Sequence, residues 1–349
     1  MVIIPIFVQD KKRIYRISTT FKSAQYFKPL LADSFSNHFY EGTYYSINKM
    51  AILTDFNQHY AWVTGATSQI GYFLLPRLQA VGFAVTALSR QPCSNSAEII
   101  WQQADLLTSS LPITQPSVLF HLAPLPLLPP LLARLPAHAP LKRIIAFSST
   151  SCFTKAASPD PKERAIAAQL TQAEMALINE CQDRGIAWTL FRPTLVYGCG
   201  LDKNVTFIAQ FIRRFGFFPL LGRGTGLRQP VHADDLAAAC IQVCIEPKTT
   251  NKAYNLSGGE TLEYRDMVKA IFHHLDQKPR IISIPLPLFK MMTFFLRWLP
   301  AYAHLSAAMI ARMNQDLCFE HTTAYHDFGY QPRMFSHNDM GFKCQPIKH

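Results

Sequence analysis

The sequence predicts an α/β protein in which a doubly wound parallel Rossmann sheet is followed by a smaller C-terminal α/β substrate lobe. Three observations carry this expectation. Trp62 to Gly71 reads W-V-T-G-A-T-S-Q-I-G, an apolar run that turns at Gly65 and restarts as the helical pattern Ile70-Gly71-Tyr72-Phe73-Leu74-Leu75. Further short apolar runs follow at the spacing of strands alternating with helices: Phe83 to Leu88, a run closed by Asp105-Leu106, Val118 to Ala123, and Arg143 to Phe147. With 349 residues, 49% of them hydrophobic, the chain is long enough to bury a large core.

Taken in order, the first element is a strand, a tight turn and a helix N-terminus, the geometry that receives a dinucleotide pyrophosphate. Its middle glycine position holds Ser68, whose side chain either crowds the phosphate or donates its hydroxyl to it. The next strand ends in Ser89-Arg90, where an NAD-specific protein places a carboxylate for the ribose hydroxyls. A guanidinium there suits a 2′-phosphate, so NADP is expected, with NAD as second choice. The pattern Ala165 to Ile178 repeats at helical spacing, and Glu163 and Arg164 are expected to form its solvated first turn.

These signatures resemble the extended short-chain dehydrogenase/reductase superfamily, in particular the NAD-dependent epimerase/dehydratase family. T-G-A-T-x-x-I-G, D-L after the third strand, H-L-A after the fourth, F-S-S-T after the fifth, R-P-T-L-V-Y-G at 192–198 and V-H-A-D-D-L-A at 231–237 come in that family's order, across residues 57 to 335. The resemblance implies a cofactor site from Gly65, Thr67, Ser68, Gln69, Ile70, Gly71, Arg90, Asp105, Leu106, Leu122, Ala123 and Pro193. It implies a catalytic hydroxyl at Thr150 and substrate contacts from Asn204 and Arg228, the arginine on the pyrophosphate of a nucleotide sugar. The alternative for Arg228 is a loop arginine paired with Asp234 or Asp235. The division implied is an N-terminal extension (1–56), an NAD(P)-binding Rossmann domain (57–200), and a substrate lobe interleaved with the last Rossmann elements (201–349).

The chain departs from the family where the chemistry belongs. Family members carry a Tyr and, four residues on, a Lys that lowers the phenol pKa and holds the nicotinamide ribose. Counting back from Glu174, the family's helix glutamate, places Leu170 and Ile166 at those positions. Neither transfers a proton. His121, Cys152, Tyr197 and His232 lie near strand ends, and each has a structural reading: the imidazoles satisfy backbone groups, the phenol belongs to a turn, and the thiol is a small buried hydrophobe.

Two functions are therefore expected. One is an NAD(P)-dependent oxidoreductase or epimerase on a nucleotide sugar, in polysaccharide or envelope synthesis, with a cleft lined by Thr150 and Arg228. The other is a catalytically inactive NADP-binding structural or redox-sensing protein, with that cleft filled by apolar side chains.

The net charge of +11 is spread along the chain, without basic clusters interleaved with aromatics, so nucleic acid is not an expected partner. Eight cysteines without a C-x-x-C pair fit a reduced, cytoplasmic setting, and no metal-ligand spacing is present. Residues 1–56 have no match to the family and are a mis-called start, a disordered arm or a small added element; Met50 is a possible family start. The apolar stretch at 285–310, interrupted by prolines and cations, offers a peripheral membrane contact. A homodimer is the expected assembly.

Overall fold

The computed structural model describes residues 2–10, 13–21, 60–95, 99–284 and 313–335. The chain forms two compact units, Met1–Ala51 and Ile52–His349. In the first, β1 (Val2–Asp10) and β2 (Arg13–Phe21) make an antiparallel hairpin, with Val2 opposite Phe21 and Asp10 opposite Arg13.

The second unit opens with β3 (Tyr60–Thr64), whose Ala61, Trp62 and Val63 are buried, and turns into α1 (Gln69–Ala80). Ser68 caps α1, and Leu74, Leu75 and Leu78 form its inward stripe. Then follow β4 (Ala84–Ser89), β5 (Ile99–Gln103), β6 (Ser117–His121), α2 (Leu128–Ala133) and β7 (Leu141–Phe147). The strand boundaries differ from the runs read in the sequence by up to three residues, which puts Asp105, Leu106, Leu122 and Ala123 in the turns beyond the strands. After β7 come α3 (Ser151–Thr154), the long α4 (Pro161–Arg184) and β8 (Ala187–Pro193). Asp160 caps α4 by accepting from Lys162 N (2.9 Å), and Gly185 ends it with φ +63°. Glu163 corrects the expectation of a solvated first turn: it is buried and accepts from Ser158 Oγ at 2.7 Å, while Arg164 is exposed.

The chain then leaves the sheet through β9 (Val196–Tyr197), α5 (Val205–Phe215), β10 (Phe218–Leu221), β11 (Leu227–Arg228) and β12 (Val231–His232). It passes along α6 (Ala233–Ile245) and re-enters the sheet as β13 (Lys252–Leu256). Last come β14 (Leu262–Glu263), α7 (Tyr264–His274), β15 (Ile281–Ile284) and α8 (Thr322–Phe328).

The central sheet has seven parallel strands in the order β5-β4-β3-β6-β7-β8-β13. The strand order reverses between β3 and β6, the crevice where open α/β sheets bind ligands. One face is covered by α1 and α6 through Leu74, Leu78, Leu236 and Val243, the other by α2 and α4 through Leu128, Leu132, Leu177 and Cys181. A third core joins α5 and α7 in the lobe through Ile208, Ile212, Met267, Ile271 and Phe272.

Two consequences are measurable. A Cβ on Gly71 would lie 2.1 Å from the Ala66 carbonyl oxygen, so Gly71→Ala is expected to lower unfolding stability by about 2 kcal/mol, read by urea titration. His121 is fully buried between Thr64 Oγ1 (2.8 Å) and the Pro124 carbonyl (3.3 Å), and burial holds its pKa down, from 6.5 to about 4. Between these values the unfolded chain binds a proton that the folded chain does not. The stabilisation is therefore whole above pH 6.5 and is lost as the pH falls toward 4. From pH 7 to pH 4 the wild type should lose about 3 kcal/mol relative to His121→Gln, measured in the same titrations.

Candidate functional site

The β3–α1 turn is a cradle that only glycine permits. Gly65 has φ +66°, and a Cβ there would come within 2.6 Å of Ala123 N and 2.7 Å of the Leu122 carbonyl carbon. Ser68 turns its hydroxyl oxygen back to its own helix, accepting from Gly71 N at 3.2 Å, and so keeps its proton for another partner. A cavity of about 480 Å³ opens on this turn, lined by Gly65, Thr67, Ser68, Arg90, Asp105, Leu106, Leu122 and Ala123. Eight of the sequence-derived cofactor residues thus face one space. Asp105 spends one carboxylate oxygen on Leu107 N (2.9 Å), and Arg90 is exposed at the end of β4. Ile70, Gly71 and Pro193 do not line this cavity: Ile70 is core, Gly71 packs against Ala66, and the Pro193 carbonyl accepts from Thr150.

A second cleft, of about 630 Å³, lies on the other side of the α1 N-terminus and is lined by Gln69, Thr150, Asn204 and Arg228, with Lys155, Lys203, Gln229 and Tyr264. Thr150 is buried and its Oγ1 donates to the Pro193 carbonyl at 3.1 Å, so toward the cleft this hydroxyl acts as an acceptor. Asp202 takes the helix-capping role at α5, accepting from Asn204 N (2.9 Å) and Thr206 N (3.0 Å), while the Asn204 side chain makes no cap. Arg228 is only 5% exposed. It donates to the Leu227 and Gln315 carbonyls (2.7 and 2.8 Å) and lies 5.5 Å from the centre of the Tyr264 ring, and burial lowers its pKa. The Tyr264 phenol is pushed up to about 12 by burial, so it stays protonated.

The alternative pairing of Arg228 with Asp234 or Asp235 is not what forms. Asp234 binds Arg77 (2.6 Å) and Arg333 (2.7 Å), and Asp235 binds Arg333 Nε (2.7 Å) and its main-chain N–H (3.0 Å). These pairs tie α1 and the C-terminal segment to α6.

Glu174 has a structural task. Buried on α4, it accepts from Arg192 Nε (3.0 Å) and Nη2 (2.5 Å) at the end of β8, and from Ser148 Oγ (2.5 Å) at the end of β7. One turn earlier on α4, Leu170 packs on the core of that face; another turn earlier, Ile166 is 43% exposed. Neither lines the cleft, so these side chains do not fill it. Cys152 is buried and its thiol pKa is raised by burial, and His232 Nδ1 accepts from Asp234 N at 3.1 Å. Sequence reasoning missed Lys155, Gln229 and Tyr264, which stand outside the motifs. Among the described residues no cluster of His, Cys, Asp or Glu fits a metal, the described cysteines are free thiols, and no helix is long and apolar enough to cross a membrane.

The family model for the NAD dependent epimerase/dehydratase family matches residues 131–257. Among curated proteins, the chain is similar to subunit 9 of the NADH dehydrogenase [ubiquinone] 1 alpha subcomplex, mitochondrial, of Arabidopsis thaliana, at 28% identity over 43% of this chain and 35% of that one. It is also similar to UDP-glucose 4-epimerase of Vibrio cholerae, at 22% identity over 35% of this chain and 37% of that one. The chain thus spans little more than a third of the length of these relatives. In fold it is similar to UDP-glucuronic acid 4-epimerase of Bacillus cereus solved with NAD, with a TM-score of 0.62 at 15% identity over 81% of this chain and 97% of that one. Over residues 131–257 the chain is thus similar to the NAD dependent epimerase/dehydratase family, and its parallel sheet, with the glycine cradle at the reversal point, is the fold seen in the solved epimerase.

Proposed function

We propose that this chain is an NADP-preferring oxidoreductase or epimerase-like protein acting on a nucleotide sugar, in polysaccharide or envelope synthesis, without the family's Tyr/Lys pair. One observation carries the reading. The glycine-lined cavity and the Thr150–Arg228 cleft flank the same helix N-terminus, with Ser68 in one and Gln69 in the other. A dinucleotide laid across that N-terminus would present one end to each space. The cradle fits such a group, since Gly65 lets the turn close against the backbone at Leu122–Ala123 without a side chain intervening, and the first N–H groups of α1 attract phosphate oxygens. The Bacillus cereus relative in fold was solved with NAD, which supports a nicotinamide cofactor; Arg90, in place of a carboxylate, supports the extra phosphate.

When bound, the nicotinamide supplies hydride transfer. The chain's own part is positioning and charge. Arg228 offers a desolvated cation for a diphosphate, Asn204 an uncommitted side-chain amide, and Thr150 an acceptor oxygen that orients a hydroxyl without taking its proton. Ile166 and Leu170, at the positions the family gives to Tyr and Lys, favour a second reading: a cofactor-binding protein without turnover, structural or redox-sensing. The polar lining of the cleft favours the first.

Calorimetry on the purified chain should show NADP binding more tightly than NAD, and Arg90→Ala should weaken NADP about tenfold while leaving NAD unchanged. NAD binding as tightly as NADP, or an Arg90→Ala variant with unaltered NADP affinity, would remove the 2′-phosphate assignment.

With a UDP-sugar panel and NADP, turnover followed by absorbance and product chromatography should be slow, at least about a hundredfold below an epimerase that has the proton relay. Arg228→Gln should weaken UDP-sugar binding by about tenfold. Complete absence of UDP-sugar binding, with NADP binding intact, would transfer the assignment to the non-catalytic reading.

A further inference from the structure

The helix α5 has two apolar faces. Val205, Ile208, Ala209 and Ile212 point into the lobe core and are buried. Phe207, Phe211 and Phe215 recur every four residues along one flank; Phe211 is half-buried against the lobe core, and Phe207 and Phe215 remain 54% and 51% exposed. Phe215 lies 4.6 Å from Phe211, ring centre to ring centre, and Phe217 packs edge-on to Phe211 at 5.7 Å, so the rings form one continuous ridge. Arg214 lies on that ridge, its guanidinium 5.4 Å from the Phe215 ring, with exposed Arg213 beside it. An amphipathic helix ordinarily turns charge outward; this one turns outward a row of phenylalanines edged with arginine.

Charge identifies what such a ridge meets. From Lys203 to Ala233 the sequence has no Asp or Glu, while it has Arg213, Arg214, Arg223 and Arg228. Strand β10, which follows the ridge, pairs in parallel with β15, Phe218 opposite Ile281. Beside the ridge, then, begins a second acid-free stretch of sequence, from Gln277 to Gln315, which carries Lys278, Arg280, Lys290, Arg297 and Arg312 among apolar residues. The two strands of this small sheet thus belong to two acid-free, cationic and apolar stretches of sequence. Aromatic rings with flanking arginines suit the boundary between lipid headgroups and acyl chains, and each cation near an anionic leaflet adds attraction. A second copy of the chain would bring these arginines against their own kind. We propose that the outward face of α5 is a docking surface for an anionic lipid bilayer.

The test is flotation of the full-length chain with vesicles of phosphatidylcholine alone and of phosphatidylcholine mixed with phosphatidylglycerol. The wild type should float with the anionic vesicles, stay behind with the neutral ones, and release at high salt. The double variants Phe207→Ser/Phe215→Ser and Arg213→Gln/Arg214→Gln should each lose about tenfold in partitioning with an unchanged melting transition and unchanged NADP binding. If the phenylalanine variant melts early, the arginine variant still decides the matter. Wild-type protein that stays in solution with anionic vesicles overturns the proposal. So does flotation of both variants at the wild-type level, and so does an effect of the phenylalanine change on oligomer mass alone.

Discussion

The close crossing of β3 and α1 is the constraint on which the rest of the site depends. No side chain fits at Gly71, because the Ala66 carbonyl occupies the space, or at Gly65, because the backbone beyond β6 occupies it. These two contacts hold the start of α1 against the point where β3 and β6 diverge. The Thr64–His121 hydrogen bond ties the same two strand ends together from within the core. Both cavities open around that fixed helix start, so the distance between them is set by backbone packing and not by flexible side chains.

A second pin holds the strand ends that border the Thr150–Arg228 cleft. Glu174 joins α4 to the ends of β7 and β8 through a two-pronged bond to Arg192 and a bond from Ser148. Those strand ends carry Ser149, Thr150 and Pro193. Their geometry therefore rests on Glu174, which reaches both strands from one helix. On the same helix Leu170 packs on the core and Ile166 faces out.

How much of this was legible in the sequence follows from the range of each interaction. The glycine cradle, the strand-end signatures and the register of α4 are written within a few residues, and all are found in the fold. The partners of Arg228 are not local: Gln315 lies 87 positions away, and Tyr264 reaches it from another helix. Asp234 and Asp235 stand together in the motif, yet their partners are distant in sequence, Arg77 lying 157 positions before Asp234 and Arg333 99 positions after it. Lys155 enters the cleft because α3, with Thr150 at its N-cap, is a single turn that ends at Thr154, a length no motif specifies. Glu163 was misread for a similar reason, since its burial depends on the turn at Ser158 and not on the helix pattern.

The order of the central sheet also has a kinetic side. β13, an edge strand of that sheet, pairs with β8, yet residues 194–251 lie between them, running out through β9–β12 and back along α6. β13 cannot find its place until this excursion has closed on itself, a long-range step whose entropy must be met before its contacts form. The lobe shares that boundary: Thr194 N bonds the Leu256 carbonyl, and Val231 N bonds the Leu195 carbonyl. Sheet and lobe are consequently joined along one backbone seam, and the cleft lined by Thr194, Leu195 and Val196 opens beside it.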